Sequence, residues 1–461
     1  MTAASTAPLL THDALPHPDR VPPVRIVHLG LGAFHRSHQA WYTAHAADSD
    51  QWGIAAFTGR TPDAAEALAA QGCVYTLIER GPEEDRFELI GSIVQATAGG
   101  DLAGFVATLA GPEIAVVTLT VTEAGYRVDA AGELDVTDPD VSSDIRLLRR
   151  LLRRREAAPP ARDEVPTTVL GRLLLGLNER RLSGAPPIAI VPCDNLPDNG
   201  PLVRRALDRL AREVDPALAD WLPRGASFVS TSVDRITPRL EQEDRELVAV
   251  ATGWFDETPV VTEPFADWVL AGEFPSGRPQ WETAGARFVD DITPWEARKL
   301  WMLNGAHTLL ASSGRSRGHA TVAEAFADPV CREQVDELWV EAARNLPTVE
   351  TAEYRLALAE RFANPRIVHR LAQIAEGSRT KMRLRIVPIA LAERKAGRSA
   401  VGCATAVAAW IRQEAADDDP RAALRELAPE LADDEEFATT VQTILSAMMA
   451  GSAPEKAGTL R

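Results

Sequence analysis

Val24–Leu29 is a short, β-branched apolar run that is cut off by Gly30 and Gly32, and a helical pattern follows to about Ala46. Segments WGIAAFTG (52–59), EIAVVTLTVTE (113–123), PIAIVPCDN (187–195) and ASFVSTSVD (226–234) share that buried-strand character. Between them lie helical patterns at 61–71, with Pro62 near its start, and at 144–155 and 166–182. Strands alternating with helices predict a mainly parallel, doubly wound sheet. After about residue 285 the rhythm changes. EARKLWMLNGAHTLLAS, TVAEAFADPVCREQVDELWVEAARNL, AEYRLALAERFA, AVGCATAVAAWIRQEAA and DEEFATTVQTILSAMMA are all helical by periodicity, and strand signals nearly vanish. The predicted class is an α/β N-terminal domain with a mainly parallel sheet, over 24–285, followed by a mostly α-helical C-terminal domain, over 286–461. The Pro- and polar-rich residues 1–23 read as a surface arm.

Composition narrows the function classes. The chain has 461 residues, enough for two domains, with 45% hydrophobic and 25% charged residues. There are 66 acidic against 49 basic residues, a formal net charge of −17. That balance argues against nucleic acid or an anionic membrane as partner. It would also repel an anionic substrate unless local lysines and arginines offset the field. The arginine-rich stretch DIRLLRRLLRRREAA (144–158) places its leucines on one helical face and reads as a solvated amphipathic helix. The four cysteines are far apart and form no CxxC pair, which fits a reducing cytoplasm. The N-terminus lacks signal-peptide character, and no stretch approaches the roughly 20 apolar residues of a membrane span. The expectation is a soluble, cytoplasmic protein; oligomeric state is left open, and a monomer is compatible with the sequence.

Six stretches carry chemistry. GLGAF (30–34) lies directly after a strand and before a helix, the context of a dinucleotide fingerprint and a Rossmann-like domain. Gly30 would allow the tight turn, and Gly32 would let backbone amides, with Ala33 and Phe34 behind them, approach a pyrophosphate. The third glycine of GxGxxG is replaced by His35. After the second strand the chain reads FTGRTPD. Asp63 is late for a ribose contact, and Arg60 would suit a 2′-phosphate, so NADP stands beside NAD. At the strand end TLTVTEAGY, Thr120, Thr122 and Glu123 leave the sheet near the same edge. VPCDNLPDNG would bring the Asn195 amide to that edge; TSVDRITP again ends a strand, where Asp234 and Arg235 could pair with each other or face the cleft. His28, His35, His38 and His45 match no metal pattern, so no metal is expected, and no GxSxG elbow points to a serine nucleophile.

KLWMLNGAH (299–307) sets a lysine, an asparagine and a histidine among apolar residues. On an α-helix at about 100° per residue, with Lys299 at 0°, Glu296 falls near ~60°, His307 near ~80° and Asn304 near ~140°. All four share one broad face. An apolar setting disfavours an ammonium and would make Lys299 a usable base.

Together, VHLGLGAFHRSHQA, TLTVTEAGY, PCDNLPDNG, SVDRITP, EPFADWVL, GRPQW and KLWMLNGAH, in this order, resemble the mannitol dehydrogenase family of polyol-specific long-chain dehydrogenases/reductases. The resemblance runs from about residue 24 to at least 390. It implies NAD(P)-dependent, zinc-independent oxidation of a secondary alcohol on an open-chain polyol or sugar acid. It assigns Lys299 as general acid/base, Asn304 and Asn195 to the substrate oxygen, His307 to orientation, Glu296 to proton movement, and Asp234 to substrate hydroxyls. In RLAQIAEGSRTKMRLR the family's DGSxK pattern is broken. Lys381 still transfers as a substrate contact, and Gln373 stands where polyol-type members tend to carry arginine. These features look closest to the fructuronate reductase and mannitol 2-dehydrogenase branches, with a mannitol 1-phosphate dehydrogenase as alternative. A carboxylate substrate would want Arg379, Lys381, Arg383 and Arg385 near the cleft. A catalytically silent nucleotide-binding protein is the competing class.

Overall fold

The computed structural model describes residues 7–59, 61–129, 131–153, 165–415 and 419–450. Arg60 and the end of the arginine-rich stretch lie outside the described residues. The chain divides into two compact units, Met1–Ile292 and Thr293–Arg461.

The N-terminal unit contains twelve strands among its described residues: β1 (Val24–Leu29), β2 (Gly53–Phe57), β3 (Tyr75–Arg80), β4 (Asp85–Ile90), β5 (Ile93–Thr97), β6 (Val116–Leu119), β7 (Ile188–Pro192), β8 (Ala226–Phe228), β9 (Ser230–Asp234), β10 (Val260–Thr262), β11 (Asp267–Ala271) and β12 (Arg287–Phe288). Six form one parallel sheet in the order β5-β2-β1-β6-β7-β8. Counted along the sheet's own strands this is 3-2-1-4-5-6, the doubly wound order of dinucleotide-binding folds. The near-continuous apolar runs are explained by burial on both faces: β2, β6 and β7 are buried at every position. Helices Leu102–Leu109, Val169–Ser183 and Asn199–Val214 cover one face through Phe105, Leu173 and Leu207. Tyr42, Trp268 and Trp281 belong to the core on the other.

Two details depart from the sequence pattern. Ala226–Asp234 is not one strand. It breaks at Val229, so that β8 joins the parallel sheet while β9 pairs antiparallel with β11 in a second sheet. Residues 8–15 are pinned: Leu10 is fully buried, and its amide donates to the Phe255 carbonyl at 2.8 Å.

The C-terminal unit is helical throughout its described elements. Helix Gly305–Ser316 is its axis, buried from Gly305 to Gly314. Helices Pro329–Arg344 and Val401–Glu414 pack on it, with Trp339 and Trp410 fully buried. No described helix is long and apolar enough to cross a membrane.

Gly30 holds the crossing of β1 and β6. Its φ is +111°, and a Cβ there would stand 2.2 Å from the Thr120 carbonyl oxygen, a backbone atom. Gly30→Ala should therefore destabilise the N-terminal unit by about 3 kcal/mol or more, the cost of a strained φ plus a backbone shift. Gly100→Ala, with open space around it, should cost less than about 1 kcal/mol. Urea unfolding of both variants checks the contrast.

Candidate active site

The sheet order reverses between β1 and β6, where a doubly wound fold opens its ligand crevice. Gly30 and Thr120 meet there, and the Thr120 hydroxyl donates to the Gly30 carbonyl at 2.9 Å. The amides of Gly30 and Leu31 both donate to the Phe57 carbonyl, which ties the turn to β2. Gly32 is extended and caps the helix Ala33–Ser37, with no side-chain cap of its own. A Cβ on Gly32 would meet only the Gly30 carbonyl, at 3.5 Å. Ala33 is exposed and Phe34 half-buried. The residues fit a dinucleotide pyrophosphate: open backbone at a helix start, at the switch point.

His35 explains how the turn works without its third glycine. That glycine normally lets helix and strand approach closely. Here the fully buried His35 ring lies flat on the His28 ring of β1, centroids 3.3 Å apart and planes 7° apart. His28 in turn joins Thr118 Oγ1 at 2.8 Å through Nδ1 and Thr120 Oγ1 at 3.0 Å through Nε2. Since the Thr120 hydroxyl proton is committed to Gly30, Nε2–H donates and Nδ1 accepts from Thr118. His38 is also a packing residue, its Nε2 bonded to the Asp267 carbonyl at 3.1 Å. Among the described residues no group of three His, Cys, Asp or Glu side chains is arranged to hold a metal.

The other N-terminal candidates sit at strand ends. Thr122 and Glu123 are exposed beyond β6. Asp63 opens the helix Asp63–Ala70 and is exposed. Asn195 is exposed on the loop after β7. Asn199 fixes this loop: its amide joins the Thr231 amide (2.9 Å), the Thr231 carbonyl (3.2 Å) and the Pro192 carbonyl (3.3 Å). Tyr126 donates to Asp194 at 2.6 Å, while burial raises the Asp194 carboxyl above its usual range. Asp234 ends β9 and is buried, opposite Asp267 in the antiparallel ladder. Arg235 does not face a cleft. Its guanidinium is locked onto Glu79, the Ser37 carbonyl and the Glu263 carbonyl.

In the C-terminal unit the helix is not the uniform α-helix assumed from sequence. Thr293–Arg298 is α-helical, Lys299–Asn304 is a π-helical turn, and Gly305–Ser316 is α-helical again. The Gly305 amide reaches back five residues to the Leu300 carbonyl. Such turns are rare and concentrate at functional sites. In an α-helix the residue hydrogen-bonded along the axis, i+4, lies about 40° from residue i. An i+5 bond brings the fifth residue into that place. Asn304 thus lies about 40° from Lys299 rather than ~140°, and His307, three α-helical residues on, returns to within about 20° of it. The widened turn gathers the three residues that an α-helix would spread.

Around them, Met302 and Leu303 are buried, whereas Lys299, Leu300 and Trp301 are half-buried, so the apolar wrapping of the lysine is partial. Glu296 is half-buried one turn earlier. His307 is buried against Phe362 (4.8 Å between centroids) and edge-on to His369 (4.8 Å). Burial holds its pKa well below 6.5, with His369, Arg361 and Arg385 adding repulsion, so it is a neutral hydrogen-bonding group. Arg385 Nη1 donates to the Asn304 carbonyl (3.3 Å) and to Thr308 Oγ1 (3.1 Å). Lys381 donates to the Ile374 carbonyl at 2.8 Å.

Comparison with known proteins gives the family. Residues 24–283 match the mannitol dehydrogenase Rossmann domain and residues 291–449 the mannitol dehydrogenase C-terminal domain. The chain belongs to the mannitol dehydrogenase family. Among its relatives, D-mannonate oxidoreductase of Escherichia coli is 35% identical over 424 residues, 89% of this chain and 84% of that protein. Mannitol 2-dehydrogenase of Cereibacter sphaeroides is 35% identical over 84% of this chain and 80% of its own. The solved mannitol 2-dehydrogenase of Pseudomonas fluorescens, a ternary complex with NAD and D-mannitol, is 30% identical, with a TM-score of 0.74 over 96% of this chain and 95% of that one. Membership in the mannitol dehydrogenase family makes the protein an oxidoreductase.

Sequence reasoning missed Asn199 and Tyr126, although Asn199 lay within the quoted VPCDNLPDNG, and it missed His369, which carries no motif signal. His28 and His369 both have depressed pKa values, about 3 and about 4 against 6.5, because burial disfavours the imidazolium. Below pH 6.5 the unfolded chain binds protons there that the native chain does not. Stability is therefore full above 6.5 and falls as pH drops toward those values, by about 1.4 kcal/mol per histidine per pH unit at most. The urea midpoint should fall between pH 7.5 and 5.5, and His369→Gln should lessen that fall by about 1 kcal/mol; an undiminished fall contradicts the neutral burial of His369.

Proposed function

We propose that the protein is an NAD-dependent, zinc-independent dehydrogenase that interconverts a secondary alcohol of an open-chain polyol or sugar acid with its ketone, with Lys299 as general acid/base. The observation that supports this reading is the π-helical turn Lys299–Asn304, with His307 three residues beyond it, in a chain of this family. Gly30 and Gly32 hold the backbone open for the dinucleotide, and bound NAD supplies the hydride acceptor. Lys299 takes the hydroxyl proton as the carbinol carbon gives up hydride, and returns it in the reverse direction. The amides of Asn304 and Asn195 donate to the oxygen as negative charge develops on it. Neutral His307 orients that oxygen or the lysine by hydrogen bond. Glu296 passes the proton between Lys299 and water, and Asp234 receives substrate hydroxyls.

Lys299→Ala should lower kcat by about 10²–10⁴-fold, the typical worth of a general base, while the dissociation constant of NADH changes less than about threefold. Near-normal turnover would remove Lys299 from the role. Gly32→Ala probes the other half. Its φ is ordinary and its surroundings roomy, so the fold should survive while the added methyl weakens NADH binding about tenfold or more, read by fluorescence titration. Tight NADH binding with no ketose or ketouronate turned over would instead favour a silent nucleotide-binding protein.

A further inference from the structure

The helix Ser378–Arg385 carries four cations, and the fold sorts them into two pairs. Arg379 and Arg383, four residues apart, are exposed and turn to the same neighbour: Arg379 pairs with the Glu426 carboxylate and Arg383 donates to the Glu426 carbonyl. Their charge is spent on the outside of the unit. Lys381 and Arg385, also four apart, are half-buried on another side of the helix. Neither forms an ion pair with a carboxylate among the described residues: Lys381 donates to the Ile374 carbonyl, and Arg385 to the Asn304 carbonyl and the Thr308 hydroxyl.

Arg385 is the more telling of the two. Only Nη1 of its guanidinium is engaged, on the Asn304 carbonyl and Thr308 Oγ1. The Nε and Nη2 hydrogens, which point the same way from the opposite edge, have no partner among the described residues. That edge is the pair of parallel donors that matches a carboxylate in bidentate fashion. Burial lowers the Arg385 pKa to about 10, with no acid acting on it to raise it. The groups that do feel one another here are cationic or basic: Arg385 with His307 and Lys381, and His369 with Lys381 and Arg361. The acid acting on Lys381 is Glu376, which is exposed. The Nδ1 atom of His369 is buried with no hydrogen-bond partner. A protein with 17 excess negative charges thus keeps Arg385 half-buried beside Asn304 and His307, with no carboxylate paired to it among the described residues. Leaving a buried charge unpaired is costly unless a ligand completes the pair.

We propose that the Nε–Nη2 edge of Arg385, flanked by Lys381, binds a carboxylate carried by the substrate, so that the reaction runs on a sugar acid in preference to a neutral polyol. This rests on the dehydrogenase reading above. A carboxylate fits better than a phosphate because one planar two-donor edge is on offer. The Nη1 contact to Asn304 couples the subsite to the widened turn, so that binding the anionic end fixes the position of the carbon chain relative to Lys299.

The test is NADH-dependent reduction of D-fructuronate, D-fructose and D-fructose 6-phosphate by the full-length protein. The proposal expects kcat/KM for fructuronate to exceed both others by about 30- to 100-fold, the worth of a charge-assisted bidentate pair. Arg385→Gln should cut the fructuronate-to-fructose ratio by about 10- to 100-fold, mainly through KM, and Arg385→Lys, which keeps the charge but not the fork, should lose less. Arg379→Gln should leave the ratio unchanged. If Arg385 only braces the Asn304 carbonyl, its variants lower both substrates equally and the ratio holds, which overturns the proposal. A wild-type preference for fructose or for the phosphate overturns it without any variant, and leaves the dehydrogenase reading standing. No reduction of any of the three overturns both.

Discussion

In the turn Lys299–Asn304 the backbone hydrogen bonds span five residues instead of four, and much of the C-terminal unit answers the consequences. A widened turn shifts the ladder, and buried carbonyls at its end need donors from elsewhere. The Met302 carbonyl takes the Trp339 indole N–H at 2.8 Å, from a helix 37 residues on. The Asn304 carbonyl takes the Thr308 hydroxyl at 2.9 Å and Arg385 Nη1 at 3.3 Å. Trp339 is fully buried, so the donor that steadies the turn is itself fixed by the core. The same turn sets the angular relation of Lys299, Asn304 and His307. A rare local geometry is thus held by packing on one side and carries Lys299, Asn304 and His307 along the other.

The N-terminal unit solves a comparable problem by different means. Gly30 must pass within van der Waals contact of Thr120, which only a residue without a side chain can do at that φ. The proton order Thr118 to His28, His28 to Thr120, Thr120 to the Gly30 carbonyl then links strand β1, strand β6 and the turn in one chain of donors. Every step uses a neutral group, and burial keeps His28 neutral. The stacked His35 makes the contact between helix and strand by flat rings rather than by a missing side chain. A motif with one glycine short of its pattern is therefore intact in structure.

The parallel strands, the strand–turn–helix at GLGAF and the helical second half were legible because burial on both faces and 3.6-residue periodicity leave direct traces in sequence. The β3–β4 hairpin was not read. Its second strand, DRFELI, alternates half-buried and exposed and belongs to a separate three-stranded sheet, so it lacks the apolar run used to find the others. ASFVSTSVD looked like one strand because nothing at Val229 marks a change of sheet. The shared face of Lys299, Asn304 and His307 was anticipated, but from angles that the chain does not use. The apolar periodicity does not mark the π turn, and the Trp339 indole that donates to its Met302 carbonyl comes from a helix distant in sequence.

The basic stretch 379–385 shows why a charge count alone does not decide a substrate. On paper the four cations are equivalent. In the fold, spacing of four on a helix makes two pairs, and Glu426 claims one of them. The difference matters physically. Exposed charges are screened within a Debye length of about 8 Å at physiological ionic strength, so Arg379 and Arg383 add little beyond their own neighbourhood. A half-buried guanidinium facing no acid acts through a lower effective dielectric, and its attraction for an anion survives both the salt and the negative charge of the chain as a whole. Local burial, not net charge, then sets how strongly such a group attracts an anion.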